Sequence, residues 1–151
     1  MTILTKLKGK KMLKSSYQLY RYALAQILNM TNAKLPMRME VDSFCDVETP
    51  SGKRVDIKAC RVRKIAGTGR LARYSLNNND NKIPMKSRVD LLVCMAYDEE
   101  LRLVNVLCIP TGQLPDWDTS IGVSISPSKV SRANRWYKYI TTLDELKEKL
   151  K

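Results

Sequence analysis

The chain has 151 residues, of which 44% are hydrophobic and 28% charged, a composition typical of a globular protein with a sizeable core and not of a disordered one. Lysine and arginine outnumber aspartate and glutamate by 27 to 15, giving a net charge of +12, which favours a polyanionic partner such as nucleic acid. There is no histidine, which excludes histidine-based triads, histidine general bases and the usual zinc–histidine sites.

The cysteines and the apolar runs indicate the cellular compartment of the protein. Four cysteines stand in separate apolar, strand-like runs without CxxC spacing: Cys45, Cys60, Cys94 and Cys108. They are predicted to be buried free thiols of a reducing compartment, with a zinc site or a disulfide as the alternative. The first residues lack the apolar core of a signal peptide, and no apolar run approaches membrane-spanning length. We therefore expect a cytoplasmic protein. The chain length predicts a single domain over residues 1–151.

A basic segment opens the chain. Residues 1–14 carry five lysines within nine positions, from Lys6 to Lys14, which suits either an arm along a phosphate backbone or the solvated start of the first helix. Ser15 or Ser16 is a candidate N-cap for that helix. Apolar residues then recur at helical spacing and predict an amphipathic helix: Tyr17, Leu19, Tyr20, Ala23, Leu24, Ile27 and Leu28.

Two short strands joined by a tight turn are predicted over residues 45–60. Pro50-Ser51-Gly52 supplies the turn, because proline presets one dihedral angle and glycine tolerates positive φ. In the second strand, alternation predicts one apolar face and one polar face. The apolar set is Val55, Ile57 and Ala59, and the alternating set is Asp56, Lys58 and Cys60. Asp46 lies on the preceding strand, where the hairpin brings its carboxylate back toward Asp56.

This constellation resembles the PD-(D/E)XK motif of restriction-endonuclease-like nucleases, a superfamily that includes restriction enzymes, Holliday-junction resolvases, phage nucleases and a homing endonuclease. The matching residues are Asp46, nine intervening residues, and Asp56-Ile57-Lys58; Cys45 stands where the motif has proline. The resemblance implies an α/β, restriction-endonuclease-like core in which a mixed central β-sheet is flanked by helices. By analogy, the carbonyl of Ile57 would be a further metal ligand.

The residue types also suit metal-dependent hydrolysis. The carboxylates of Asp46 and Asp56 could bind Mg²⁺, with Mn²⁺ as a substitute, since Mg²⁺ prefers oxygen ligands and retains waters. Lys58 would orient or deprotonate a water and stabilise the pentavalent phosphate. Similar nucleases often place a glutamate on the opening helix, but residues 15–30 contain no acid. Glu40 and Asp42 are the candidates for a third acid, with pairing to nearby cations as the alternative; an exposed ion pair is the alternative for Asp56 and Lys58.

Two basic segments are predicted to contact DNA. The first surrounds Ala66-Gly67-Thr68-Gly69, where cations combine with room for close backbone approach; its residues are Arg61, Arg63, Lys64, Arg70 and Arg73. The second mixes cations with aromatic residues near the end of the chain; its cations are Lys129, Arg132 and Arg135. Trp136 and Tyr139 beside them either stack on bases or pack against the sheet.

The remaining elements follow from apolar periodicity and turn residues. Asp90 is expected to form a structural salt bridge or cap, and Thr142 to open a last helix through a capping box with Glu145. Strands are predicted at 38–48, 53–63 and 70–76, in a central hairpin of 89–97 with 101–109, and at an edge over 121–126, with a loop or short helical turn at 111–120 and the last helix running to Leu150.

The features together predict a Mg²⁺-dependent DNA endonuclease that hydrolyses phosphodiester bonds in double-stranded or branched DNA. Because one small domain presents one active site, cutting both strands would require a homodimer or homotetramer. Restriction, resolvase and homing roles stay open, as does structured RNA as the substrate. The alternative from another class is a non-catalytic basic nucleic-acid-binding protein, and a third is a basic protein-interaction module.

Overall fold

The computed structural model describes residues 16–36, 45–64, 70–76, 88–114, 120–125 and 135–151. In these residues the protein is a mixed α/β structure with two sheets and two α-helices. The elements are α1 (Ser16–Met30), β1 (Val47–Glu48), β2 (Arg54–Arg61), β3 (Arg63–Lys64), β4 (Arg70–Ser75), β5 (Leu91–Tyr97), β6 (Leu103–Pro110), β7 (Ser120–Ser124) and α2 (Leu143–Lys149), with short 3₁₀ turns at Thr111–Gln113 and Tyr137–Tyr139.

The first sheet is mixed and has the strand order β1-β2-β5-β6. Strand β2 runs parallel to β5, with Asp56 opposite Leu92 and Lys58 opposite Cys94, whereas β5 and β6 form an antiparallel pair. Strand β5 is buried along nearly its whole length, which is why its sequence is a continuous apolar run and not an alternating one. The predicted central hairpin is confirmed.

The second sheet is antiparallel and has the order β3-β4-β7. Only Val62 separates the end of β2 from the start of β3, so the chain passes directly from the first sheet to the second. Strand β7 lies at an edge of this sheet, as its alternating sequence predicts.

Two apolar clusters cover the two faces of the first sheet. On one face, both helices share a cluster with β2, β5 and β6, to which they contribute residues that include Leu19, Ala23, Ile27, Leu146 and Leu150. On the other face, the second sheet supplies Ala72, Tyr74, Ile121 and Val123, which pack against β5 and β6. The α/β class with a mixed sheet is confirmed; the two described helices share one face, and a small sheet takes the place of a helix on the other.

The predicted hairpin and its turn are confirmed. Strands β1 and β2 pair antiparallel with Val47 opposite Val55. Thr49 closes the turn, since its N–H donates to the carbonyl of Lys53 at 2.9 Å and its carbonyl accepts the N–H of Gly52 at 2.9 Å. Gly52 has φ of 90°, a conformation that favours glycine. The turn therefore fixes the register that brings residues 46–48 alongside β2.

Several smaller predictions are also decided. The Thr142 hydroxyl accepts the N–H of Glu145 at 3.2 Å and caps α2, which ends at Lys149. The prediction that Tyr17 belongs to the apolar face of α1 is wrong, because Tyr17 is 66% exposed. It is the first apolar residue of the helix, and the packed residues begin at Leu19.

All four cysteines are free thiols: Cys94 and Cys108 are buried, and Cys45 and Cys60 are half-buried. Burial raises the pKa of the Cys60 thiol to about 11, so this group stays protonated and unreactive at neutral pH. No helix in the described part of the chain is long and apolar enough to cross a membrane.

Some predictions fall on residues outside the described ranges. They concern the arm at 1–14, the possible cap at Ser15, the strand positions 38–44 with Glu40 and Asp42, the glycine-containing loop at 65–69, and the cations Lys129 and Arg132. These stay predictions from the sequence.

Candidate functional site

Asp46 is held where the ladder between β1 and β2 ends. Its own N–H donates to the carbonyl of Val55 at 2.8 Å. Its side chain turns back onto β2, where Oδ2 accepts the N–H of Ile57 at 2.6 Å. The carboxylate thus accepts a hydrogen bond from a main-chain N–H of β2 that lies beyond the residues paired with β1. This hydrogen bond fixes the side chain at the edge of the first sheet.

The second oxygen of Asp46 is bound by the first helix. The Tyr20 hydroxyl donates to Asp46 Oδ1 at 2.5 Å. Burial raises the pKa of Tyr20 well above its ordinary value of 10.0, and the neighbouring carboxylates of Asp46 and Asp56 raise it further. The hydroxyl therefore remains a protonated donor across the physiological range. The helical pattern gives no sign of this role, since the partner lies 26 residues away in the sequence.

Asp56 and Lys58 project from the same face of β2, as the alternation predicts. Lys58 Nζ lies 3.3 Å from Asp56 Oδ2, and the two side chains are only 21% and 14% exposed. The two groups therefore form the ion pair that was the alternative prediction, but the pair is mostly buried and not exposed. Burial raises the pKa of Asp56 from 3.8 to about 7; Lys58 opposes this rise, and the Asp46 carboxylate adds to it.

The carboxylates of Asp46 and Asp56 are oxygen donors, the ligand type that a hard divalent cation prefers. Each carboxylate oxygen has two lone-pair directions, so Asp46 retains acceptor capacity beside its hydrogen bonds to Tyr20 and Ile57. The described residues include no group of three or more histidine, cysteine, aspartate or glutamate side chains placed around one metal position. A pair of carboxylates is nevertheless a common protein contribution to Mg²⁺, which keeps several waters. We therefore regard Asp46 and Asp56 as the residues that would hold the ion.

A cleft of about 860 Å³ opens over these residues. Asp46, Asp56 and Lys58 line it, and so do Tyr17 and Tyr20 from α1. Of the residues predicted to contact DNA, those that line the cleft are Arg61, Arg63 and Arg73. The fold therefore places three arginines of the first basic segment in the same cleft as the carboxylates. Ser75 and Ser120 also line it, and no feature of the sequence singles them out.

Of the other residues that were predicted to contact DNA, those whose side chains are described either lie outside the cleft or pack against the core. Arg70 is exposed on β4 but does not line the cleft, and nothing is described for the side chain of Lys64. Trp136 is only 6% exposed and belongs to the apolar cluster that includes residues of both sheets, which decides between its two interpretations in favour of packing. The guanidinium carbon of Arg135 lies 4.5 Å from the centre of the Trp136 ring, so this arginine covers a core residue.

Asp90 has the structural role predicted for it. Its Oδ2 accepts the N–H of Arg54 at 2.8 Å and lies 3.7 Å from Nε of the same residue. This contact joins the start of β5 to the start of β2, and it stands apart from the cleft.

The hydrogen bond from Tyr20 gives a first testable prediction. If Asp46 holds a metal ion, replacing Tyr20 with phenylalanine is expected to weaken Mn²⁺ binding roughly 10- to 100-fold, the usual consequence of removing a partner that orients a metal ligand. Calorimetric titration with Mn²⁺ measures this affinity. Tyr22→Phe, on the same helix but outside the cleft, is the matched control. Equal Mn²⁺ affinity in wild type and Tyr20→Phe would show that Asp46 needs no support from the helix.

No protein-family model matches this sequence, and no curated protein matches it either.

Proposed function

We propose that this protein is a Mg²⁺-dependent endonuclease with a restriction-endonuclease-like core. The observation that carries the proposal is the meeting of the Asp46 and Asp56 carboxylates with the Lys58 ammonium inside one cleft. A mostly buried carboxylate with a raised pKa is unfavourable for stability, and such groups concentrate at functional sites. The excess of 27 basic over 15 acidic residues supports a polyanionic substrate.

Each residue has a defined task in this proposal. Asp46 and Asp56 would hold the ion, and Ile57 would contribute its carbonyl if the resemblance to the nucleases extends that far. When bound, Mg²⁺ supplies a more acidic water and offsets negative charge at the scissile phosphate. Tyr20 and the N–H of Ile57 orient the Asp46 carboxylate, so that no reorganisation of this ligand is needed during the reaction.

Lys58 acts on the phosphate and the attacking water. As an ammonium group it can donate hydrogen bonds to a phosphate oxygen and stabilise the charge that develops there. Its neighbour Asp56 at 3.3 Å keeps its side chain near the reacting centre. Arg61, Arg63 and Arg73 would bind the flanking backbone, with bidentate donors that match phosphate geometry.

The substrate and the assembly are part of the same proposal. We infer double-stranded or branched DNA as the substrate, with restriction, homing or resolvase use among the possible roles. Because one domain presents one active site, a homodimer or homotetramer would cut both strands. The four free thiols are compatible with the reducing cytoplasm.

A cleavage assay tests the activity. Supercoiled plasmid and branched DNA are incubated with the purified protein in Mg²⁺, Mn²⁺ or EDTA, beside Asp46→Asn and the matched control Asp90→Asn. Nicking that requires metal, persists in Asp90→Asn and falls at least roughly 100-fold in Asp46→Asn is the expected result.

An enzyme of narrow sequence specificity would leave the wrong DNA uncut. Calorimetry with Mn²⁺ therefore accompanies the assay, since the proposal requires metal binding that Asp46→Asn removes. Tight DNA binding that is indifferent to metal, with no Mn²⁺ binding, would contradict the proposal and favour the non-catalytic nucleic-acid-binding protein.

A further inference from the structure

The outer face of the second sheet carries a row of polar side chains. Arg73 lies opposite Gly122 and Ser75 opposite Ser120 in the pairing of β4 with β7, while Arg63 lies opposite Leu71 in the pairing of β3 with β4. Directly opposed residues of an antiparallel pair share a face, as do residues two apart on one strand. We call Arg63, Arg73, Ser75 and Ser120 the polar shelf.

The shelf faces away from the core. Its four members are exposed, whereas the intervening residues Ala72, Tyr74, Ile121 and Val123 are buried beneath it. Gly122 leaves room opposite Arg73, because a Cβ atom there would approach Leu71 Cδ1 at 3.9 Å, an ordinary van der Waals distance. The guanidinium of Arg73 therefore has no side chain directly across the strand pair.

The shelf and the carboxylate pair line one continuous cleft. All four shelf residues line it together with Asp46, Asp56 and Lys58. Among the described residues that line the cleft, Asp46 and Asp56 are the acids, and neither belongs to the shelf. The shelf thus offers two guanidinium groups and two hydroxyl groups, which are donors suited to phosphate oxygens.

We propose that the polar shelf is a phosphate-binding subsite that holds the backbone of the nucleic-acid strand next to its reacting phosphate. The inference deepens the proposed function and rests on it. It implies a substrate with at least two successive phosphates, one at the carboxylates and another on the second sheet, so an isolated mononucleotide would be a poor substrate. The ligand chemistry is the phosphodiester backbone, which both DNA and RNA present.

The test measures binding separately from cleavage. Fluorescence anisotropy with a DNA duplex and with an RNA duplex of the same sequence is recorded in EDTA over a range of salt concentrations. Arg73→Ala is expected to reduce the slope of log affinity against log salt by about 1, the loss of one phosphate contact. Arg70→Ala is the matched control, since it removes the same charge from an exposed position of the same strand outside the cleft.

A second variant introduces a negative charge beside Arg73 and keeps every arginine in place. Gly122→Asp places a carboxylate directly opposite Arg73, where it would pair with the guanidinium and repel a phosphate, and it is expected to lower affinity at least as much as Arg73→Ala. Gly122→Ala adds only the Cβ atom and is expected to bind as wild type. Thermal unfolding of all four variants confirms that each is folded.

The possible outcomes separate the two proposals. Three results would overturn the shelf. The first is an equal loss of affinity in Arg70→Ala and Arg73→Ala, and the second is wild-type affinity in Gly122→Asp. The third is that wild type binds neither duplex. Metal-dependent cleavage by wild type together with unaffected binding in the shelf variants would overturn the shelf and leave the nuclease standing. Impaired binding in the shelf variants, with neither cleavage nor Mn²⁺ binding by wild type, would support the shelf as a phosphate site and overturn the nuclease.

Discussion

Replacing Lys58 with methionine is expected to reduce DNA cleavage by roughly 10²- to 10⁴-fold, the range supplied by a positioned proton donor or charge stabiliser. Methionine is unbranched and fills a similar volume, so the change removes the ammonium group while the wall of the cleft is kept. The group removed lies 3.3 Å from Asp56 Oδ2 and is only 21% exposed. Its loss therefore alters both the proposed reacting centre and the charge balance of Asp56.

The metal affinity of Lys58→Met should depend on pH. Because Lys58 lowers the pKa of Asp56, its removal is expected to raise that pKa further, so protons compete more strongly with Mn²⁺ at neutral pH. Alkaline pH should restore Mn²⁺ binding but not cleavage. Single-turnover kinetics and Mn²⁺ titration over a pH series measure the two effects. The matched control is Lys53→Met, an exposed lysine of the hairpin turn. Cleavage at the wild-type rate in Lys58→Met would contradict the role given to this residue.

Replacing Asp56 with asparagine is expected to abolish Mn²⁺ binding and cleavage while it stabilises the fold at neutral and alkaline pH. The pKa of Asp56 is about 7 in the folded protein, against an ordinary value of 3.8. Between these values the folded state binds more protons than the unfolded state, so wild type loses stability as pH rises through this window. Asparagine does not titrate, and the variant escapes that loss.

The stability advantage of Asp56→Asn should therefore grow between about pH 4 and pH 7 and level off above. Its upper limit is on the order of 4 kcal/mol at about 1.4 kcal/mol per pKa unit. The loss of the ion pair with Lys58 offsets part of this gain. Urea unfolding of both proteins at a series of pH values measures the difference. Saturating Mg²⁺ is a useful control, because it should stabilise wild type and not the variant. A stability difference that stays constant or shrinks with rising pH would refute the raised pKa of the buried Asp56 carboxylate.

Much of the scaffold around the site follows from local sequence. The turn at Pro50 to Gly52 and the alternation of Val55 and Ile57 with Asp56 and Lys58 are set by neighbouring residues, and the structure has both. The cap at Thr142 is local in the same sense. The continuous apolar run of β5 likewise indicates a strand buried on both faces.

Contacts between segments that are distant in the sequence do not follow from local sequence. The parallel pairing of β2 with β5 skips over β3 and β4, which form the second sheet together with β7. Trp136 is buried in a cluster that includes residues of both sheets, and Arg70 does not line the cleft that Arg73 lines. These outcomes depend on which strands pair and in which register, and the period of an isolated segment does not specify its partner.

The sequence by itself determined the α/β class, the hairpin, and the placement of Asp56 and Lys58 on one face of a strand, because each depends on backbone preferences and periodicity within a few residues. Only the tertiary structure decided the environment of that face. Tyr20 reaches Asp46 from a helix 26 residues away, and burial of Asp56 in the packed structure raises its pKa to about 7. Burial and electrostatic coupling arise from the sum of surrounding elements, so they exist only once those elements have packed together.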